Sequence, residues 1–359
     1  MNKTRKHNEL KKHNALRKHN KTQKIHNKSR NSRRDKSGKS GKSGKCDKSN
    51  GKTFNKVVGM ITVPLSPTKK FYSVCGDSYI ASSHINWLKR QGIKIVPIPY
   101  TTKDPKYYMS KVNGLYFPSG GAFALNSKEY YKICKEFVKL AMKENDKGNY
   151  FPIWGGCMGM QQMVIIADEQ DNLDSLLTQF DSFNDLLLNL DITEEGRKSK
   201  MFRNATPEFM KTLEVKRCTL NNHKMGISPY KFKTHKNINN FYKIVSTNKD
   251  RQGKTFVSTI EGRFYPFYGV QWHPERDDTM DYFANFFANE LKKNNNKLNK
   301  NKTRKLMSKL YSKKIDCMNY SNSLYKKCNF YWHKKTSKHN KRLCNVAQTS
   351  REDGRYTGV

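Results

Sequence analysis

Apolar and polar positions alternate along the middle of the chain in blocks that predict strands and helices in turn. Residues 57–64 are apolar and β-branched, as in a buried strand. Residues 79–91 place Ile80, His84, Trp87 and Leu88 at helical spacing, and the helix is expected to stop at Gly92. Strands are predicted at 93–98 and 114–117, and Ser127 is the expected N-cap of a helix reaching residue 142. A buried strand at 150–154 leads into a helix at 158–167. Three more strands are predicted at 243–247, 256–261 and 268–272, with a closing helix at 280–291. Its stripe of Tyr282, Phe283, Phe286 and Phe287 belongs to the core rather than to a ligand site. Residues 173–190, rich in Leu, Asp and Phe, fit either a helix or an irregular excursion over a pocket. Alternating strands and helices imply an α/β fold, a mostly parallel central sheet flanked by helices on both faces.

Two segments in this pattern carry candidate chemistry. Residues 154–161, Trp-Gly-Gly-Cys-Met-Gly-Met-Gln, put Cys157 at a tight turn between a strand and a helix. Residues 269–275, Gly-Val-Gln-Trp-His-Pro-Glu, end a strand on His273, with Glu275 two residues on. A nucleophile, a base and a group to orient the base form the minimum set for acyl transfer through a thioester. A helix start and a nearby imidazolium favour the thiolate, and the surrounding glycines allow a sharp turn. The backbone N–H of Met158 is then aimed at the developing oxyanion.

These segments resemble the class I glutamine amidotransferase fold and, more narrowly, the gamma-glutamyl hydrolase family. The resemblance extends over residues 78–83, 87–88, 92–97, 113–118, 120–121, 149–155, 222–224 and 267–275, in order, within about residues 55–293. It implies Cys157 as nucleophile, His273 as general base and acid, and Glu275 as third member. It also implies that His223 and Tyr79 contact the glutamyl group, and that Gly120 or Gly121 donates the second oxyanion N–H. Two departures stand out. Gln161 occupies a position where hydrolases of the family commonly carry glutamate. The loop Pro118-Ser119-Gly120-Gly121 is one residue longer than Pro-Gly-Gly.

Charge then divides the chain into three. The 359 residues carry a formal charge of +40. Residues 1–52 hold 19 basic and 3 acidic residues, a net +16, and residues 291–359 hold the same numbers. The expected organisation is a basic low-complexity tail at 1–52, a catalytic domain at 53–293 and a basic extension at 294–359 that contains cysteines and aromatics. The first tail repeats Lys-His-Asn and Lys-Ser-Gly units and has almost nothing apolar to bury, so disorder is expected. No apolar leader or membrane-spanning run is evident, which points to an intracellular protein with reduced thiols. The polybasic segments suit nucleic-acid phosphates or an anionic membrane surface, though no apolar anchor or lipidation motif accompanies them, or are simply solvated. Cys317, Cys328, His333, His339 and Cys344 match no common zinc spacing. The neighbouring aromatics (Tyr311, Tyr320, Tyr325, Phe330, Tyr331 and Trp332) fit either single-strand stacking or a small helical element on the core.

The expected activity is therefore hydrolysis of γ-glutamyl bonds, as in folate polyglutamates, with an acidic small-molecule substrate and no cofactor or metal. A glutaminase, or a nucleic-acid-binding protein on an inactive hydrolase fold, is the alternative.

Overall fold

The structure is a computed structural model that describes residues 56–66, 76–169 and 176–297, together with strands Tyr311–Asp316 and Lys327–Trp332. Of the side chains in those last two strands it describes only Tyr331. The 1–52 tail lies outside the described residues, as do Tyr320, Tyr325 and the side chains of the cysteine and histidine set beyond residue 316.

Along the chain the first elements are β1 (Val57–Ile61), β2 (Val63–Pro64), β3 (Ser78–Ala81), α1 (Ser82–Arg90), β4 (Lys94–Ile98), α2 (Pro105–Met109) and β5 (Gly114–Phe117). Next come α3 (Ala122–Leu125), α4 (Lys128–Asp146), β6 (Ile153–Gly156), α5 (Met158–Asp168), β7 (Thr178–Leu188) and β8 (Asp191–Ile192). The chain continues through α6 (Glu194–Arg197), α7 (Pro207–Val215), β9 (Thr219–Gly226), α8 (Pro229–Thr234), α9 (Lys236–Phe241) and β10 (Tyr242–Lys249). It closes with β11 (Thr255–Gly262), β12 (Phe267–Val270), α10 (Asp281–Lys292), β13 (Tyr311–Asp316) and β14 (Lys327–Trp332).

Eight strands form the central sheet in the order β4-β1-β5-β6-β12-β11-β10-β8. The run from β4 to β12 is parallel, and β11, β10 and β8 extend it antiparallel. Side chains alternate across each strand and so feed two cores. Leu115, Phe117, Ile153 and Phe267 face one core with Tyr130, Phe137, Met160 and Val164 of α4 and α5. Val58, Met60, Tyr116, Trp154, Tyr268 and Val270 face the other, with Trp87 and Leu88 of α1 and Phe283 and Phe287 of α10. Ser127 caps α4, its hydroxyl accepting the Tyr130 N–H at 3.3 Å.

Three expectations are corrected. Residues 78–81 form β3 rather than the first turn of a helix. β3 is held between β2 and β14, with Tyr79 opposite both Val63 and Phe330, so distant partners override the local helical spacing. Residues 178–188, expected as helix or irregular chain, form β7, paired antiparallel with β9. Asn184 and Asp185 have positive φ angles of 56° and 52°, and the register shifts between Ser182 and Leu186, so the alternation that marks a strand is broken. The described part of the C-terminal extension is two strands, not a helical element; β13 pairs with β14, and β14 with β3.

Candidate active site

Parallel strands β6 and β12 lie side by side with Gly156 opposite Val270, so the residues following each strand emerge together. This is the carboxyl edge where open α/β sheets place their sites. Cys157 follows β6 with φ 49° and ψ −106°, strained for a side chain bearing a Cβ. Its N–H donates to Val270 O at 2.7 Å, and its carbonyl accepts the Gln161 N–H at 3.1 Å. One hydrogen bond ties the elbow to the neighbouring strand, and the other starts α5. The turn is tight because Gly159 packs on β5: a Cβ there would sit 1.9 Å from Phe117 O.

His273 follows β12, its N–H donating to Leu220 O at 2.8 Å. Its Nδ1 lies 2.8 Å from Glu275 Oε1, the carboxylate being carried by a 3₁₀ turn, Pro274–Arg276. All three side chains are buried. Burial alone would push His273 down, but the charges of Glu275 and Cys157, together with the hydrogen bond to Glu275, carry it up to about 10. Burial would likewise raise Glu275, yet His84 and His273 hold it down at about 2. His84 is itself pushed down to about 4, chiefly by burial. At neutral pH the cation beside Glu275 is therefore His273.

The other expected residues are distributed around this centre. Met158 opens α5 and is buried, and Gly120 and Gly121 sit between β5 and α3. Gln161 is tied into the framework, its Nε2 donating to Met225 O at 2.6 Å and to Gln271 Oε1 at 3.2 Å. The same Met225 carbonyl lies 3.0 Å from His223 Nδ1. His223 stands edge-on to Phe256, with Nε2 buried and without a hydrogen-bond partner among the described residues. Tyr79 is 2% exposed in the core between β2 and β14.

Sequence reasoning assigned no role at this site to Gln271, His84 or Tyr116. Gln271 Nε2 points at Cys157 Sγ across 3.5 Å. His84 Nε2 contacts Ser119 Oγ at 2.5 Å and lies 3.6 Å from Glu275 Oε1, and its Nδ1 meets the Tyr116 hydroxyl at 2.9 Å. The available signal for His84 was a polar residue inside an otherwise apolar helical stripe. Among the described residues no group of three or more His, Cys, Asp or Glu side chains could hold a metal ion, and no helix is long and apolar enough to cross a membrane.

The family model for peptidase C26 matches residues 56–275, which span the central sheet and Cys157, His273 and Glu275. The chain belongs to the peptidase C26 family. Among similar proteins, gamma-glutamyl hydrolase of Homo sapiens is 35% identical over 240 residues, 61% of this chain and 73% of that protein. Gamma-glutamyl hydrolase B of Dictyostelium discoideum is 30% identical over 262 residues, covering 68% of this chain and 74% of the relative. Gamma-glutamyl hydrolase 1 of Arabidopsis thaliana is 27% identical over 227 residues, covering 62% and 64%.

The buried histidines of this peptidase C26 domain give its stability a defined pH dependence. His223 is pushed down to about 3, chiefly by burial, and His84 to about 4. Each is neutral in the fold where the unfolded chain already binds a proton. Their contribution is whole above about pH 6.5 and is lost as pH falls toward those values, about 3 kcal/mol for each at pH 4. His273 works in the opposite sense: its contribution is whole below about pH 6.5 and fades as pH rises toward 10. The melting temperature is expected to be highest near pH 6.5–7 and to fall steeply toward pH 4. In His223→Asn, measured by circular dichroism across this range, the acid fall should be shallower. An unchanged slope would contradict the assignment of His223 as a buried neutral group.

Proposed function

We propose that this protein is a cysteine hydrolase of γ-glutamyl bonds, with Cys157, His273 and Glu275 as its catalytic triad. The observation that carries the reading is the buried Cys157–His273–Glu275 array at the carboxyl ends of two adjacent parallel strands, in a chain of the peptidase C26 family. Cys157 Sγ attacks the γ-carbonyl carbon. The C–N bond breaks, His273 protonates the departing nitrogen, and a γ-glutamyl thioester remains. Water then attacks the thioester, giving its proton to His273, and the thiol is regenerated with a free γ-carboxyl. Glu275 accepts the Nδ1–H of His273, which leaves Nε2 to exchange protons with sulfur, amine and water. The Met158 N–H and one from Gly120 or Gly121 are the proposed oxyanion donors.

His223 supports a glutamyl ligand in this pocket. With Nδ1–H donated to Met225 O, its buried Nε2 is an acceptor, suited to an N–H on the α-nitrogen of the glutamyl group. Gln161 gives no support to glutaminase activity, because its amide is engaged by Met225 and Gln271. Neither glutaminase nor nucleic-acid binding on an inactive fold is favoured by the family. Folate polyglutamates, acidic chains of γ-linked glutamates, are the proposed substrates.

The direct test supplies purified protein with a short γ-linked glutamate oligomer, its α-linked isomer and glutamine. Release of glutamate from the γ-linked oligomer alone is the expected result. Ammonia from glutamine without cleavage of the oligomer would replace the reading with glutaminase, and equal cleavage of both isomers would remove the γ-glutamyl specificity.

A further inference from the structure

His84 lies on α1, wholly buried, and reaches both halves of the site. On one side is Ser119, in the 118–121 loop that carries the proposed oxyanion donors. On the other is Glu275, the carboxylate that orients His273. Behind the ring is Tyr116, fully buried and packed edge-on against Trp87 and Phe287, with centroids 6.4 Å away in each case. The ring thus spans the ends of β5 and β12, strands that do not touch each other because β6 lies between them.

We propose that His84 is a positioning residue, tying Glu275 to the Ser119 loop so that the general base and the oxyanion-binding backbone hold one geometry. The substrate in this proposal rests on the γ-glutamyl reading above; the geometry does not.

The charges around the ring set its state. Burial is the main force keeping it neutral, and protonated His273 and Arg276 add to it, against the pull of Glu275. A neutral imidazole has one N–H to place. A carboxylate oxygen 3.6 Å from Nε2 favours the proton there, with its positive end toward the negative oxygen. Nε2–H then donates to Ser119 Oγ, and Nδ1 accepts the Tyr116 O–H. The ring therefore bonds Ser119 and Tyr116 through one fixed tautomer and turns its polar N–H edge toward the Glu275 carboxylate. Ser119 is the residue by which this loop exceeds Pro-Gly-Gly. It is only 3% exposed, so the added length is anchored rather than slack. A misplacement of about 1 Å between base and oxyanion donors is enough to cost on the order of a hundredfold in rate.

The test compares His84→Phe, which fills the space without polar atoms, with His84→Gln, which offers an amide N–H near the Nε2 position. Steady-state kinetics on a γ-linked diglutamate are read beside the rate of Cys157 alkylation by iodoacetamide, with folding checked by melting temperature. For His84→Phe the expected result is a fall in kcat of about tenfold to a hundredfold, KM within about twofold, and slower alkylation. His84→Gln is expected to recover kcat to within about threefold of wild type. Wild-type kcat and alkylation in His84→Phe would overturn the proposal, as would equal losses in the two variants, which would mark a packing role. Should the wild-type protein fail to cleave the diglutamate, the γ-glutamyl reading falls. The alkylation rates still decide the proposal: slowed in Phe and restored in Gln sustains it, and equal rates overturn it.

Discussion

Cys157→Ala and His273→Ala are each expected to lower turnover of a γ-linked diglutamate by about ten-thousandfold or more, and the double variant by no more than the worse single one. The reason is that the two residues act on one bond in one step. Sulfur attacks effectively only when it has lost its proton, and His273 is the group placed to take it and later to protonate the amine. Without the imidazole the thiol is a poor nucleophile, and without the thiol the imidazole has nothing to activate. The second deletion therefore removes a function already absent. The charges point the same way: His273 is carried up to about 10 by Glu275 and Cys157 jointly against its own burial, so each member depends on the others. Single-turnover rates for wild type, both single variants and the double variant would measure this. Losses that multiply would show that the residues act separately, and the triad assignment would have to be abandoned.

Gly159→Ala is expected to be the most damaging small substitution near the site. The added methyl would lie 1.9 Å from the carbonyl oxygen of Phe117 and 2.7 Å from its carbon. These are backbone atoms of a strand paired on both sides, so no side chain can swing away. Helix α5 would have to retreat from β5, taking Cys157 with it. Forced overpacking of this kind costs about 3 kcal/mol or more, a fall in melting temperature on the order of 10 °C for a domain of this size. Gly121→Ala is the matched control, because a Cβ at Gly121 meets nothing within 4 Å and its φ is −93°. A melting scan should find Gly121→Ala close to wild type and Gly159→Ala far below it or insoluble. Similar melting points would mean that the elbow is looser than this packing implies.

Much of the arrangement could be read in the sequence, for identifiable reasons. Strand β5 was expected at 114–117 and is found there, and Ser127 caps α4 as expected, because both signals are local. Cys157, His273 and Glu275 come together because each sits just past a buried strand, and a parallel sheet brings such ends to one edge. Elements defined by remote partners were hidden. β3 follows a helical apolar spacing, yet its backbone is claimed by β2 and β14. β7 loses its alternation at Asn184 and Asp185, where two residues of positive φ break the register. His84 was visible only as part of an apolar stripe, because its partners Ser119 and Glu275 come from two separate segments further along the chain. Gln161 shows a related limit: its residue type suggested a substrate preference, while its hydrogen bonds give it a framework role.

The pairing of β14 with β3 sets an order of events in time. Tyr331 lies opposite Ser78, and about 250 residues of synthesis separate them, a delay on the order of tens of seconds at typical translation rates. Throughout that interval the edge of β3 that will receive β14 has only unpaired N–H and C=O groups to show. Helix α1 begins at the residue after β3, and His84 lies within its first turn. Closure of this edge of β3 thus waits for β14 to leave the ribosome, and the nascent chain spends the wait with an open edge that a chaperone can cover or a second copy can occupy.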